Sequence, residues 1–197
     1  MTQWVTTTQL IEELRITDNT SAWTHFCSHF QPVIVRFARR LGLSSVDAED
    51  AAQETMTVFF EAFNEGKYDP KKGRLSSWLF GVANRVILNM HKHRPLEHTM
   101  ADETTGTSFW EMIKDDQSIR QTWETEWRQM VLKKCLDQAR HEFETHVVKA
   151  FELYGLNNAP LEQVCRELDM SKNAVYIAKS RVLARVRELA QEFDPLQ

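Results

Sequence analysis

The sequence lacks the features that mark membrane proteins and secreted proteins. No hydrophobic run approaches the roughly 18 residues that a membrane span needs. The N-terminal segment has neither the basic start nor the apolar middle of a signal peptide. Glycine and proline are few, with six and five residues in a chain of 197. We therefore expect an ordinary globular protein without a membrane span.

Cysteine is also scarce, and its pattern bears on the cellular compartment. The three cysteines, Cys27, Cys135 and Cys165, are odd in number and lie far apart in segments with helical periodicity. This usage is typical of a reducing compartment, where each cysteine acts as a small apolar side chain. The pattern therefore indicates a cytoplasmic protein.

A surplus of positive charge is missing as well. The formal net charge is −4, so no overall positive field attracts nucleic acid. Any binding of nucleic acid must come from local patches, which makes the distribution of charge more informative than its sum.

Apolar residues recur every three and four positions along nearly the whole chain, and no clear strand alternation is present. This periodicity predicts an all-α fold. Residues 96–122 break the pattern with threonine, glycine, serine and acids, which predicts a linker between two small helical domains, residues 1–95 and 123–197. In the first domain we expect one helix to end at Pro32 and another to begin there and end at Gly42.

Charge is sorted sharply between residues 44 and 95. Residues 44–65 contain six acids and no lysine or arginine. A helix is predicted over residues 46–63, with Ser44 or Ser45 as its N-cap. Helical spacing groups four apolar residues on one side and four acids on nearly the opposite side: Ala52, Met56, Phe59 and Phe63 against Asp47, Asp50, Glu54 and Glu61. Because stacked like charges weaken a helix, the acids indicate either a binding partner or a solvated face near a helix N-terminus, where acids are favourable.

The sign of the charge reverses in the next segment. Residues 67–95 contain seven lysines and arginines against one acid, Asp69. Glycines and an Asp-Pro pair predict a loop over residues 64–77, and a helix is expected over residues 78–93. An acidic helix followed by a basic, aromatic-bearing helix suggests an adaptor that holds a protein and a nucleic acid together.

The second domain contains the pattern of a helix-turn-helix. Two apolar stripes at helical spacing are separated by a turn at Asp169-Met170, after which Ser171 suits an N-cap. The stripes consist of Leu161, Val164, Cys165 and Leu168, then Val175, Ala178, Val182, Val186 and Leu189.

The second helix of this motif is basic, with five cations and no acid between Ser171 and Arg187. Polar side chains near the N-terminus and cations along the flanks are typical of a helix that reads the DNA major groove while its flanks hold phosphates. The alternative is a basic helix in a helical hairpin that binds no nucleic acid. The outward face comprises Asn173, Tyr176, Ile177, Ser180 and Arg187, flanked by Lys172, Lys179, Arg181 and Arg185.

Together these motifs resemble bacterial RNA polymerase sigma factors of the extracytoplasmic-function type, in the sigma-70 family. The N-terminal resemblance covers about residues 8–95, and the C-terminal one about residues 130–190. It is carried by Ala22-Trp23, by Phe37-Ala38-Arg39-Arg40-Leu41-Gly42-Leu43, by Asp47-Ala48-Glu49-Asp50, by Gln53-Glu54-Thr55, and by Trp78-Leu79 with Ala83-Asn84. The resemblance implies two helical domains that bind core polymerase, the first opening the -10 promoter element and the second reading the -35 element.

The resemblance also implies roles for single residues. The acids Asp47, Glu49, Asp50 and Glu54 would contact core polymerase. The loop before Trp78 would capture an unstacked base of the non-template strand, and Tyr68 suits stacking on it. The implied -10 contacts are Lys67, Tyr68, Lys71, Lys72, Arg74, Trp78, Asn84, Arg85 and Lys92. The implied -35 contacts are Lys172, Asn173, Tyr176, Lys179, Ser180, Arg181 and Arg185.

Two departures and two alternatives accompany this interpretation. Relatives often open the second domain with a Leu-Pro pair, where this chain has Asp137-Gln138-Ala139-Arg140, so the packing of that domain's first helix stays open. Many relatives begin the recognition helix with T-V-K-S-R, where this chain has Ala174-Val175-Tyr176-Ile177-Ala178, so the -35 sequence stays open. A helix-turn-helix regulator that acts without core polymerase, or a sigma-mimic interaction protein, would share parts of the pattern. Transcription from a promoter on addition of core polymerase distinguishes a sigma factor from both.

No enzymatic activity, cofactor or metal is predicted. No catalytic triad, phosphate-binding loop or paired-carboxylate pocket is present as a motif. His25 and His29 have a spacing that can bind a metal, but Cys27 lies about 200° around the helix from His25. An anti-sigma factor, or a kinase acting at Thr55 or Thr57, is a further possible partner.

Overall fold

The computed structural model describes residues 7–16, 20–93 and 116–193, and every regular element in those ranges is a helix. The predicted all-α class is confirmed. The chain divides into two compact units, Thr8–Gln129 and Met130–Leu196, which are described separately. Of the predicted linker, residues 96–115 lie outside the described residues. Residues 116–122 differ from the prediction, because they form the first turns of a helix.

The described part of the N-terminal unit contains four helices and the first part of a fifth. They are α1 (Thr7–Leu14), α2 (Thr20–Arg40), α3 (Ser45–Asn64), α4 (Leu75–His93) and α5 (Asp116–Glu142), of which residues 116–129 belong to this unit. Its core is largely aromatic. Phe26 of α2 stacks on Phe59 of α3 with ring centroids 4.6 Å apart, and Phe59 also contacts Trp78 of α4.

Two tryptophans of α5 complete this core. Trp127 stacks on Phe30 with centroids 5.2 Å apart and planes at 6°, and Trp123 meets Phe37 edge-on at 5.2 Å. Both tryptophans are buried. Aromatic side chains of this size bury about 150–250 Å² each. Residues 116–122, predicted as linker, are helical because they begin the α5 helix whose tryptophans cover α2.

The predicted break at Pro32 is wrong, since α2 continues through Pro32 to Arg40. A proline inside a helix costs about 3 kcal/mol, because it lacks an N–H group and crowds the preceding turn. Its neighbours Phe30, Val33 and Ile34 are all fully buried. Burial of each such side chain contributes about 1.5–3 kcal/mol, so tertiary packing outweighs the local penalty.

Two glycines end helices in a conformation that other residues rarely adopt. Gly42 after α2 and Gly66 after α3 have φ of +87° and +72°. At each end the amide of the next residue bonds a carbonyl five positions back, Leu43 to Ala38 and Lys67 to Ala62. This is the Schellman motif, which satisfies the last helical carbonyls. Of the two predicted N-caps, Ser44 and Ser45, the structure has Ser44 as the cap of α3, because its Oγ accepts a bond of 3.2 Å from the Asp47 amide.

A buried carboxylate also joins α5 to α2. Glu126 accepts hydrogen bonds from Arg36 Nε at 2.8 Å and Arg40 Nε at 3.1 Å. The Glu126 side chain is 2% exposed, whereas those of the two arginines are 44% and 63% exposed. The charges therefore differ in their access to water: both guanidinium groups can be solvated if the pair is broken, and the carboxylate cannot.

This asymmetry predicts that loss of the arginines costs more than loss of the glutamate. Replacing both Arg36 and Arg40 by Met should lower the free energy of unfolding by about 3–5 kcal/mol, because a buried charge loses its partners. Glu126→Gln should cost about 1 kcal/mol. Urea unfolding followed by circular dichroism measures both, with Arg128→Met as the exposed control. An equal or larger loss for Glu126→Gln would contradict the asymmetry.

Up to residue 193, where the description ends, the C-terminal unit comprises the rest of α5 and three further helices. They are α6 (Thr145–Ala150), which continues as a π-helical segment over Phe151–Leu156, α7 (Leu161–Leu168) and α8 (Lys172–Phe193). Ala150, Val164, Val175 and Ala178 form its central cluster. The predicted α8 stripe is confirmed, because all five of its residues are buried.

The side chain of Lys134 on α5 is largely removed from water in this unit. Its Nζ lies 5.2 Å from the ring centroid of Phe193. Burial lowers the pKa of Lys134 to about 8, against the attraction of Cys135 and Asp137. Burial raises the pKa of the Cys135 thiol to about 11. Charged Lys134 therefore opposes folding at neutral pH.

The Lys134 effect predicts a specific pH dependence. Between the lowered pKa of about 8 and the ordinary value of 10.5, the unfolded chain binds more protons at this position, so the Lys134 contribution to unfolding free energy rises with pH. Cys135 contributes in the opposite direction as pH rises from 9.0 to about 11. The comparison with Lys134→Met isolates the lysine: the variant should exceed the wild type in stability most below pH 8, and progressively less toward pH 10.5. Denaturant titrations across this range test it. Lys133→Met, at an exposed position, is the control, and a stability difference independent of pH would contradict the assignment.

Candidate functional site

Three of the four predicted polymerase-contacting acids share one exposed side of α3. Asp50 and Glu54 are exposed and Asp47 is half-buried, while Ala52 and Phe59 on the other side are buried. By helical spacing Asp47, Asp50 and Glu54 form one surface, here named the acidic face. Glu49 is also exposed, but it lies at the opposite border of the exposed side. The exposed Val46 and Val58 border the acidic face.

The loop before α4 offers fewer basic groups than its sequence indicates. Lys71 and Lys72 are exposed, although Lys72 Nζ lies 4.0 Å from Asp69. Lys67 forms an ion pair with Glu65. Arg74 forms one with Glu124 of α5 at 3.4 Å, and its side chain is 27% exposed.

The structure corrects the expectation for Tyr68. Its side chain is buried, and its ring is stacked between aromatic neighbours rather than presented to solvent. The ring centroid lies 4.9 Å from that of Trp78 and 6.1 Å from that of Phe63, with nearly parallel planes. The Tyr68 ring packs in the aromatic core of this unit, so its faces are covered by protein and are not open to an unstacked base.

The predicted α4 residues fall into two groups. Arg85 and Lys92 are exposed and, seven positions apart, lie on the same side of the helix. Trp78 and Asn84 are half-buried. The side-chain oxygen of Asn84 is covered and has no hydrogen-bond partner in the ranges that the structure describes.

A cleft next to Tyr68 was not predicted from the sequence. It has a volume of about 760 Å³ and is lined by aromatic, aliphatic and polar residues. Phe60 is 42% exposed in it and contacts Trp23 edge-on at 4.5 Å. The signal in the sequence was Phe60, a large aromatic residue outside the apolar side that was predicted for α3. The lining residues include Arg15, Trp23, Phe60, Phe63, Asn64 and Tyr68.

The helix-turn-helix has the predicted geometry. Asp169 turns the chain with φ of +51°, and the Met170 amide bonds the Cys165 carbonyl at 3.0 Å. Ser171 caps α8 through its Oγ, which accepts a bond of 3.1 Å from the Ala174 amide. The outward residues Asn173, Tyr176, Ile177, Ser180 and Arg187 are all exposed.

Several cations of α8 are engaged within the unit. Lys172 Nζ pairs with Glu162 at 3.0 Å. Lys179 Nζ lies 4.8 Å from the ring centroid of Tyr154, and the Arg181 guanidinium lies 5.6 Å from that of Phe143. These contacts leave the groups at the surface, where a phosphate can still approach Lys172 and Arg181.

Arg185 differs from the other cations because it holds helices together. Its Nε donates to Glu142 at 2.7 Å, and it also pairs with Glu188 and Glu192 of its own helix. The hydrogen bond from Arg185 raises its own pKa further above the usual range and lowers that of Glu142. Arg185 therefore forms an interhelical ion pair within this unit, and its contact with DNA stays a prediction.

The two threonines considered for phosphorylation differ in access. Thr55 is fully buried, and its Oγ1 donates to the Ala51 carbonyl at 2.6 Å. Thr57 is exposed. A kinase cannot reach Thr55 unless α3 opens, which leaves Thr57 as the accessible position.

Two further findings concern the described ranges as a whole. They contain no group of three or more His, Cys, Asp or Glu side chains that could hold a metal ion. Their helices include none that is long and apolar enough to cross a membrane.

Comparison with known proteins concerns mainly the segment that contains the acidic face and the loop before α4, residues 64–77, named here the basic loop. Residues 26–94 match the family model described as sigma-70 region 2. No curated protein matches the chain significantly. Among solved structures, one described as the structure of CnrH in complex with the cytosolic domain of CnrY is similar at a TM-score of 0.37 and 16% sequence identity, over 91% of this chain and 94% of that chain. Of these comparisons, the region 2 match bears on function.

Proposed function

We propose that this protein is a sigma factor of the extracytoplasmic-function type, because residues 26–94 match the family model described as sigma-70 region 2. It binds core RNA polymerase, recognises a promoter, assists DNA melting and thereby starts transcription. The observation that carries the proposal is the region 2 match, which spans both the acidic face and the basic loop. The protein has no catalytic activity of its own in this role and acts in the cytoplasm, with its polymerase.

The acidic face is the proposed contact for core polymerase. Residues 44–65 hold no lysine or arginine, so α3 itself contains no cation to neutralise Asp50 and Glu54. A basic partner surface would relieve this repulsion. The exposed Val46 and Val58 on its borders add apolar area that a partner can remove from water. Glu49 contributes from the border of the exposed side.

The proposed -10 contacts are led by four exposed cations, Lys71, Lys72, Arg85 and Lys92. Such groups hold single-strand phosphates without specifying sequence. Trp78 and Asn84 supply the adjacent half-buried contacts, and Lys67 and Arg74 take part once nucleic acid displaces Glu65 and Glu124. Tyr68 stabilises the position of Trp78 in this site by stacking on its ring.

The C-terminal unit is the proposed reader of the -35 element. Its exposed Asn173, Tyr176 and Ser180 face the base edges, and Lys172, Lys179 and Arg181 contact phosphates. The division proposed from the sequence assigns core and -10 binding to residues 1–95, and -35 binding to residues 123–197. The helical segment 116–129 adds a packing element to the first of these parts.

In-vitro transcription tests the proposal and its two alternatives. Purified protein is added to core polymerase with a library of genomic fragments, and transcript starts are mapped. A sigma factor yields transcripts downstream of a shared sequence pattern. Footprints on duplex DNA without core polymerase, and no transcripts, would instead favour a helix-turn-helix regulator. Neither transcripts nor footprints would favour a sigma-mimic interaction protein.

Charge reversal on the acidic face should weaken core binding. Replacing Asp47, Asp50 and Glu54 by Lys should reduce affinity about tenfold to a hundredfold, since each exposed ion pair is worth about 0.2–1 kcal/mol and each reversal adds repulsion. Fluorescence anisotropy of labelled protein with core polymerase measures this.

The control for charge reversal changes the net charge equally at other exposed acids. Replacing Glu12, Glu144 and Glu167 by Lys should leave core affinity near the wild-type value. The loss in the acidic-face variant should also shrink as salt is raised, because salt screens exposed charges. Wild-type affinity of the acidic-face variant, with its fold intact by circular dichroism, would refute the assigned contact.

A further inference from the structure

Two large hydrophobic side chains stand exposed at the centre of the outward side of α8. Tyr176 and Ile177 are 49% and 48% exposed. Single exposed hydrophobic residues are normal on a protein surface. These two are adjacent, however, and lie between the exposed polar residues Asn173 and Ser180 on the side that faces away from the core.

Neighbouring contacts hold this surface in place. The Tyr176 ring meets Tyr154 edge-on with centroids 5.6 Å apart, and a hydrogen bond between the two hydroxyl groups raises the pKa of Tyr176. Lys179 lies over the same Tyr154 ring. Ile177 has a β-branched side chain with few χ1 rotamers in a helix. The surface therefore needs little ordering before it can bind.

The chemistry of the outward side selects among bases. Guanine is usually read by an arginine or lysine that bonds its O6 and N7 atoms, whereas apolar side chains contact the C5 methyl group of thymine. The centre of this side presents Ile177 and the ring of Tyr176, and the cations of α8 stand mainly on its flanks. Lys172 and Arg185 among them are already paired with carboxylates.

Resting on the function proposed above, we infer that Ile177 reads a thymine methyl group in the -35 element. The DNA bound by α8 then contains an A·T pair opposite the centre of the helix. Tyr176 excludes water from the contact, and Asn173, one turn earlier, is suited to bond the adenine edge of a neighbouring pair. Ile177 is thus a specificity-determining residue, in addition to the polar side chains that the sequence pattern singled out.

The test removes the methyl group from the DNA and the side chain from the protein. Holoenzyme first selects its promoter by transcription, and each thymine of the upstream element is then replaced by deoxyuridine. One position should lose affinity about fourfold, the equivalent of about 0.8 kcal/mol for one buried methyl-sized group. Ile177→Ala should bind the thymine duplex more weakly by a similar factor, and should no longer distinguish thymine from deoxyuridine at that position.

A matched variant controls for general loss of apolar surface. Leu156→Ala removes another exposed hydrophobic side chain of the same unit and should keep the wild-type sensitivity to deoxyuridine. Thermal unfolding should be nearly unchanged in Ile177→Ala, because its side chain is half-exposed.

The outcomes separate this inference from the proposed function. If the holoenzyme transcribes from its promoter but no deoxyuridine substitution matters, the Ile177 contact is wrong and the sigma-factor proposal stands. If Ile177→Ala weakens binding to core polymerase and leaves DNA binding intact, the exposed pair is a protein-docking surface and the inference is overturned. If no promoter is selected at all, the proposed function fails and this inference fails with it.

Discussion

The contact on which the N-terminal unit depends joins two tryptophans of α5 to α2: Trp127 stacks on Phe30, and Trp123 meets Phe37 edge-on. It covers the side of α2 that would otherwise expose fully buried phenylalanines. It also carries Glu126 into a position where it meets two arginines, and brings Glu124 next to Arg74. The apolar contact contributes the free energy, through the area it removes from water. The ion pairs define which turn of α5 faces which turn of α2, since a shift by one residue would separate Glu126 from both partners.

Elements with a complete apolar stripe could be predicted from the sequence because burial enforces their periodicity. The stripes of α3 and α8 and the caps at Ser44 and Ser171 depend on residues within a few positions of one another, so local spacing contains the information. The break expected at Pro32 failed for the opposite reason. Local chemistry disfavours a helix there, but Phe30 before Pro32 and Val33 and Ile34 after it are fully buried by tertiary packing. The helical start of α5 was missed because only the folded α2 reveals what its tryptophans cover.

On the candidate surfaces, too, local spacing predicted some properties of the side chains and left others open. Exposure of the acidic face and of the outward side of α8 follows from helical spacing. The engagement of single side chains does not, because the partners are remote in sequence: Glu142 lies 43 positions from Arg185, and Glu124 lies 50 positions from Arg74. Tyr68 belongs to a loop by sequence and to the aromatic core by contact. Residue type and spacing therefore predicted which surfaces are charged, while only the folded chain distinguishes a group that holds the protein together from one that faces outward.

The pairing of Arg74 with Glu124 at 3.4 Å has a consequence for any anion that approaches the loop. A phosphate that reaches this guanidinium exchanges places with a carboxylate from the protein itself. The net gain is the difference between the two ion pairs, together with the hydration that Glu124 regains when it is released into water. Arg74 then behaves as a discriminator among anions, since an approaching group has to offer the planar guanidinium a better set of oxygens than the resident carboxylate already does.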